Sequence, residues 1–214
     1  MTKLTLFTKV SISCLKILIR FRCLEQELEL SKSRCLLSQL ETEGCLKGKW
    51  ISERLINAAL RIACSKQNCD FQTCLLAQCR FCPARDPSVQ ILYDRCRAHW
   101  VCTALLNNVV YYCDSLGLSI SAEVALQVSQ LYSQYFNCQN FPIHVLNVQR
   151  QINGSDCGPF AVAFAFHFAN GQLPESVRFD VEKMRIHLIY CIQNSISLPF
   201  PQVSDKKWDI SKMN

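Results

Sequence analysis

The feature that most constrains the fold is an apolar run at Pro159–Ala169 (PFAVAFAFHFA), which begins two residues after Cys157. The run is about half as long as the roughly twenty apolar residues that a membrane-spanning helix needs. Gly171 and Pro174 follow it closely. We therefore expect a helix in the core of a globular domain and no membrane span.

The overall composition also indicates a globular protein. The chain has 214 residues, of which 50% are hydrophobic and 19% are charged. This is enough for one well-buried domain and an extension. The net charge of +6 favours acidic partners, but Lys and Arg form no concentrated block. We therefore expect no binding to nucleic acid. We also expect a monomer that does not bind a membrane.

The cysteine content and the N-terminus bear on the cellular compartment. Fifteen cysteines are an odd number, which would leave one unpaired in a secreted protein. Lys9 and Lys16 interrupt the N-terminal apolar stretch, and no small-residue cleavage pattern follows. We therefore expect a nuclear or cytoplasmic protein in which most thiols are small buried side chains.

A metal site in the cysteine-rich segment is a weaker interpretation. Cys79 and Cys82 have the spacing of zinc ligands, but the cysteines at 64, 69 and 74 do not, and no histidine is near. We expect no metal and no cofactor. His144, His167 and His187 lie within strand or helix patterns, so we assign them no role.

Three regions follow from the patterns along the chain. Residues 15–45 carry apolar side chains at helical spacing, which predicts a helical N-terminal extension over residues 1–47. A helix over Trp50–Cys64, capped by Ser52, opens the main domain over residues 48–202. Residues 203–214 form a C-terminal tail.

Strand and helix patterns alternate within the main domain. Val89–Tyr93 is a short buried strand, and two strand-like runs on either side of Asn107-Asn108 predict a hairpin. The other predicted elements are a helix over Ser121–Phe136, a strand over Ile143–Val148, a helix after Asp156 and a helix over Asp180–Gln193. Strands in the middle with helices around them predict an α+β domain.

Cys157 has the surroundings of a reactive thiol. It lies in the sequence GSDCG, where Asp156 is positioned to cap the helix that begins with Cys157. Pro159 is tolerated there because first-turn amides lack partners within the helix. The positive end of the helix dipole favours a thiolate. Such a thiol cleaves peptide bonds when a base, a group that orients the base, and oxyanion donors lie near it.

The hairpin register tests whether His99 and Asp114 can form such a base and orienting group. A two-residue turn pairs Leu106 with Val109 and therefore Val101 with Asp114. Because side chains alternate, His99 lies on the same face as Asp114, as its diagonal neighbour. An imidazole–carboxylate hydrogen bond is therefore within reach. The distance from His99 to Cys157 does not follow from the register.

A resemblance to a known family rests on these motifs together. His99-Trp100, Asp114-Ser115-Leu116, and Gln151 six residues before Cys157 in the motif NGSDCG resemble the ubiquitin-like-protein-specific, SUMO-type cysteine proteases. Trp50-Ile51-Ser52-Glu53 is similar to the Trp-Leu-x-Asp element that opens that family's domain. FAVAFA after Cys157 and the ending FD..KMR.HL...PFP are similar to invertebrate and mobile-element-associated members.

This resemblance implies a fold, an activity and site roles. The fold is the papain-like cysteine protease fold of the ubiquitin-like protease type, a central sheet flanked by helices with the nucleophile at a helix N-terminus. The activity is cleavage after the Gly-Gly tail of a ubiquitin-like modifier, with that modifier or its conjugates as partner. Its implied site is the nucleophile Cys157, the base His99, the orienter Asp114, the oxyanion donor Gln151, and the substrate-binding residues Trp50, Glu53 and Trp100.

The implied roles have alternatives. A lone cysteine before a helix is usually structural, and the alternative role of Trp50 and Trp100 is core packing. In the family the two tryptophans form a tunnel over the Gly-Gly tail, but strict alternation places Trp100 on the face opposite His99. An acyltransferase with a similar His, acidic residue and Cys is one rival function, and a catalytically decayed module that binds ubiquitin-like proteins is another.

Overall fold

The computed structural model describes residues 38–65, 68–74 and 80–203. The predicted helical pattern over residues 15–37 and the tail from residue 204 lie outside the described residues. The first described helix contributes Cys45 to the apolar core. The predicted domain boundaries stay a prediction.

Nine elements make up the described domain. In chain order they are helix α1 (Gln39–Leu46), helix α2 (Glu53–Cys64), strands β1 (Ser88–Asp94), β2 (His99–Leu106) and β3 (Val109–Cys113), helix α3 (Ala122–Tyr132), strand β4 (Ile143–Val145), and helices α4 (Cys157–Ala169) and α5 (Val181–Asn194). Ser52 caps α2 by accepting from the Leu55 amide, as predicted.

The four strands form one mixed sheet in the order β1-β2-β3-β4. The β2–β3 hairpin has the predicted register, with Leu106 opposite Val109. Asn107 and Asn108 have φ values of 52° and 63°, the left-handed conformation that a two-residue hairpin turn requires. The Asp86 carboxylate accepts from both of their amides, at 3.2 and 2.7 Å. The turn is therefore held by a side chain from outside the hairpin.

Helix α4 is the central element of the core. All thirteen of its residues are buried, because α4 packs on β1 and β2 with one side and on α2 and α5 with others. Helix α3 buries Val124, Val128 and Leu131 and also packs against β1. The predicted core helix and the predicted α+β architecture are both confirmed.

Two predicted elements are shorter than expected. Helix α3 ends at Tyr132 instead of Phe136, because the chain turns after Ser133 and reaches a left-handed residue at Asn137. Strand β4 ends at Val145, because its partner β3 ends at Cys113 and offers no further backbone to pair with. The helical spacing of α3 and the strand pattern of β4 both continue in the sequence beyond the last residue of the element in the structure.

No helix among residues 38–65, 68–74 and 80–203 is long and apolar enough to cross a membrane.

Candidate active site

Cys157 is the first residue of α4 and is buried, with 2% of its surface exposed. Asp156 occupies the N-cap position, and its carbonyl accepts from the Phe160 amide at 3.0 Å. Its side chain makes no capping hydrogen bond, contrary to the prediction, because the carboxylate is paired with Arg185 instead. The sulfur therefore lies at a helix start whose first amides are not taken by the N-cap side chain.

His99 and Asp114 meet as the register predicts. His99 Nε2 lies 2.6 Å from Asp114 Oδ1, and both side chains are almost fully buried. Cys102 pairs with Cys113, so the next position along the ladder places Val101 opposite Asp114. The Cys157 side chain also lies near the His99 ring, because it is among the groups that raise the His99 pKa. Since Nε2 is used by Asp114, Nδ1 is the ring nitrogen left for the sulfur.

The charge state of this pair follows from its hydrogen bonds. Burial alone would lower the pKa of His99, but the bond to Asp114 and the nearby Cys157 side chain outweigh burial and raise that pKa to about 9. Burial alone would raise the pKa of Asp114, but hydrogen bonds from His99 and from the Leu116 and Leu118 amides lower it. Near neutral pH the structure therefore favours an imidazolium beside a carboxylate.

The turn after β3 holds the Asp114 carboxylate in place. Oδ1 accepts from the Leu116 amide at 2.8 Å, and Oδ2 accepts from the Leu118 amide at 3.0 Å. Because the carboxylate cannot rotate without losing these bonds, the orientation of the His99 ring is fixed as well.

Gln151 lies close in space to this turn. Its backbone amide donates to the Ser115 carbonyl at 2.9 Å, and its side-chain Oε1 accepts from Ser115 Oγ at 2.6 Å. The side-chain Nε2 donates to the Asn153 carbonyl at 2.5 Å. An amide nitrogen carries two hydrogens, so Gln151 retains one donor for another acceptor. The side chain is thus oriented from both ends.

The predicted substrate-binding residues have different surroundings. Trp100 is buried, packs on Tyr93 and belongs to the same apolar cluster as Cys157. Trp50 and Glu53 are exposed. The Trp50 segment meets helix α4 at Gly158, where a Cβ atom would lie 2.3 Å from Ile51 Cγ1 and 3.4 Å from the Trp100 ring. Ile51 and Trp100 therefore flank the start of α4, and Trp50 is the neighbour of Ile51 in the chain. The tunnel over a substrate stays a prediction.

Three residues of the site had no role in the sequence analysis: Ser115, Asn153 and Arg185. Ser115 and Asn153 lie inside the motifs that carried the resemblance, and Arg185 lies in its C-terminal ending. Asn153 Oδ1 accepts from the amides of Ser155 and Asp156, which shapes the loop before Cys157. The position of these three residues within the motifs was the one signal that could have identified them. The sequence does not show which side chains they contact.

One group of possible metal ligands occurs within the described residues. Ligand atoms of Asp94, Cys96 and Glu123 lie within 4.8 Å of one another. The two carboxylates already face Arg97 and Arg95, which supply positive charge. Cys79, the partner of Cys82 in the zinc hypothesis, lies outside the described residues.

The fold and the site together define a class of protein. A cysteine at the start of a core helix, a histidine near that cysteine and hydrogen-bonded to an aspartate, and a glutamine held by the same turn on an α+β scaffold are the parts of a papain-like cysteine peptidase. Residues 95–197 match the model of the Ulp1 protease family, C-terminal catalytic domain. This part of the chain therefore belongs to the Ulp1 protease family.

Solved structures show the same fold at low sequence identity. A SUMO protease Ulp1 with its catalytic cysteine oxidised to a sulfonic acid is 15% identical with a TM-score of 0.63, over 76% of this chain and 86% of that chain. The C-terminal Ulp1 protease domain in complex with Smt3, the yeast ortholog of SUMO, is 15% identical with a TM-score of 0.58, over 72% and 81%.

A third relative is the Chaetomium thermophilum Ulp1-like SUMO protease catalytic domain. It is 18% identical with a TM-score of 0.53, over 69% of this chain and 73% of that chain. The chain matches no curated protein sequence. The narrower resemblance to invertebrate and mobile-element-associated members finds no support among these relatives.

Proposed function

We propose that this protein is a cysteine peptidase that cleaves after the C-terminal Gly-Gly of a ubiquitin-like modifier, in precursor processing or deconjugation. Cys157 acts as nucleophile, His99 as base and acid, Asp114 as orienter and Gln151 as oxyanion donor. The substrates are ubiquitin-like modifiers and their conjugates in the nucleus or cytoplasm. Family membership over residues 95–197 supports the general class.

The observation that carries the proposal is the connected set Asp114–His99–Cys157. His99 Nε2 bonds to Asp114, and the Cys157 side chain lies close enough to the same ring to help raise its pKa. A core histidine needs one partner, whereas a base that works on a thiol needs an oriented ring with its second nitrogen at the sulfur. The cluster therefore fits a nucleophile better than it fits core packing.

The steps of the reaction follow from these positions. The Cys157 thiolate attacks the carbonyl carbon of the terminal glycine, and the carbonyl oxygen becomes an oxyanion. The remaining Gln151 Nε2 hydrogen and the amides at the start of α4 are the donors available to that oxygen. The His99 imidazolium donates its proton to the leaving amine, which gives a thioester. Water, deprotonated by His99, then hydrolyses the thioester and releases the modifier.

Protein recognition by relatives motivates the choice of substrate. One of the solved relatives is described in complex with Smt3, and two others are described as SUMO proteases. The modifier that this chain recognises depends on a docking surface for which the sequence has no short motif. A panel of modifiers is therefore the appropriate substrate set.

The test is cleavage of modifier precursors and isopeptide-linked conjugates of SUMO, a NEDD8-like protein and ubiquitin. We expect wild type to cleave at least one, and Cys157→Ala to bind it with similar affinity without cleaving it. Modifier binding without turnover by wild type would instead support a decayed binding module. Incubation with acetyl-CoA tests the alternative function of an acyltransferase. An acetyl thioester on Cys157 without modifier cleavage would contradict the peptidase assignment and support the acyltransferase.

A further inference from the structure

Arg185 on α5 is a buried cation next to the nucleophile. Its side chain is 11% exposed, and the Asp156 carboxylate that it faces is 8% exposed. Nε and Nη2 donate to Asp156 Oδ1 at 2.9 and 2.6 Å. Because Asp156 directly precedes Cys157, this ion pair lies one residue from the proposed nucleophile.

The same guanidinium also contacts two other parts of the chain. Nη1 donates to the carbonyls of Cys45 and Lys49, at 3.0 and 2.7 Å, and Nη2 donates to the carbonyl of Ser155 at 2.9 Å. A guanidinium has five N–H groups, and these contacts use all of them. Arg185 thus joins the segment before Trp50, the loop before Cys157 and the helix α5.

The position of the Asp156 carboxylate is unusual for an N-cap residue. An N-cap side chain ordinarily accepts from the amide of the second or third residue of its helix. Here the third residue is Pro159, which has no amide hydrogen. The amide of Gly158, the second residue, is therefore the one donor available to an N-cap side chain. Asp156 does not use it, because Arg185 binds Oδ1 and Asn153 Nδ2 donates to Oδ2 at 2.6 Å.

We propose that Arg185 is a positioning residue for the cleavage reaction, which keeps the Asp156 carboxylate neutralised and turned away from the amides that begin α4. The inference rests on the proposed function. With Arg185 in place, the Gly158 amide is left to the sulfur and to the oxyanion. Without it, the Asp156 carboxylate has no cation beside it, places an uncompensated negative charge next to the sulfur and competes for that amide.

Two variants of Arg185 and one control variant separate this role from general support of the fold. Arg185→Gln removes the positive charge and leaves the Asp156 carboxylate without a cation beside it. Arg185→Gln combined with Asp156→Asn replaces the buried ion pair with two neutral amides. The control Lys183→Ala removes a cation from an exposed position of the same helix, where it pairs with Asp180. Thermal unfolding is measured for all variants.

The first readout is the rate at which iodoacetamide alkylates Cys157, followed by mass spectrometry at neutral pH. The tryptic peptide 151–178 contains Cys157 as its sole cysteine, so the other thiols do not interfere. We expect Arg185→Gln to slow alkylation about tenfold, as one unpaired like charge near the sulfur does. The double variant should regain most of this loss, and Lys183→Ala should match wild type.

The second readout is kcat and KM on the modifier that wild type cleaves. We expect Arg185→Gln to lower kcat with little change in KM, and the double variant to recover kcat. If Arg185→Gln does not fold, the double variant and Arg185→Lys replace it. In that case, the proposal predicts alkylation near the wild-type rate in the double variant. It predicts slower alkylation in Arg185→Lys, because lysine has three donors in place of five.

The outcomes separate this inference from the proposed function. Equal alkylation rates in wild type and Arg185→Gln would overturn the positioning role, and so would a double variant as slow as the single one. A wild-type protein that cleaves no modifier would overturn the proposed function. The alkylation readout would still decide the role of Arg185, because it needs no modifier.

Discussion

Ser115 and Gln151 are joined by two hydrogen bonds, one between their backbones at 2.9 Å and one between their side chains at 2.6 Å. Ser115 follows Asp114 directly, so the residue that orients His99 and the proposed oxyanion donor are held by the same turn. Movement of this turn would displace both at once. The structure therefore couples two roles that the sequence places 37 residues apart.

Gln151→Ala should lower kcat about 10²–10³-fold with little change in KM, because one oxyanion donor is lost while substrate contacts remain. Ser115→Ala should give a smaller loss, since the glutamine keeps its backbone bond and its bond to Asn153. Steady-state kinetics on the cleaved modifier measures both. A change of KM alone in Gln151→Ala would contradict the oxyanion role.

Asp114→Asn should reduce turnover by orders of magnitude and shift its pH dependence. The raised pKa of His99, about 9, depends in part on the Asp114 carboxylate. Without that charge the imidazolium loses its proton at a lower pH, so the alkaline fall in kcat/KM should move to lower pH. NMR titration of the four histidines follows the same proton directly. An unchanged profile and unchanged turnover would mean that another carboxylate orients His99.

One glycine inserted between Asn107 and Asn108 tests the hairpin register. The insertion should turn Asp114 to the opposite face of the sheet, and turnover should fall as far as in Asp114→Asn. A β-bulge that absorbs the extra residue would leave turnover unchanged and would show that the register is not set by the turn. A glycine inserted between Gln139 and Asn140, in an exposed loop, is the control. Circular dichroism verifies that each variant is folded.

If Trp50 and Trp100 enclose the Gly-Gly tail, substrates ending in Ala-Gly or Gly-Ala should be cleaved much more slowly than substrates ending in Gly-Gly. Trp50→Ala should reduce this selectivity, whereas Leu126→Ala, at an exposed position on α3, should not. The measurement is kcat/KM for the three tails. Equal values in wild type would remove the tunnel from the account.

The sequence predicted the parts of the site that depend on local rules. Turn length and strand alternation placed His99 beside Asp114, and Pro159 with the apolar run placed Cys157 at the start of a buried helix. These relations involve neighbours along one hairpin or one helix. The family resemblance added Gln151, which has no local signal of its own.

Contacts between distant segments could not be predicted in the same way. Asp156 was expected to cap α4, but Arg185, 29 residues away, takes its carboxylate. The His99–Cys157 contact joins a strand to a helix through tertiary packing, which no periodicity encodes. The ends of α3 and β4 also depend on where partner backbone stops, so their lengths were overestimated.

The most direct test of the account is a reaction with modifiers whose C-terminal glycine carries an electrophile. The panel contains SUMO, a NEDD8-like protein and ubiquitin, and each adduct is located by tryptic digestion and mass spectrometry. We predict one covalent adduct, on Cys157 in peptide 151–178, that is absent in Cys157→Ala and strongly reduced in His99→Ala. No adduct with any modifier, or an adduct on another cysteine that persists in Cys157→Ala, would contradict the account.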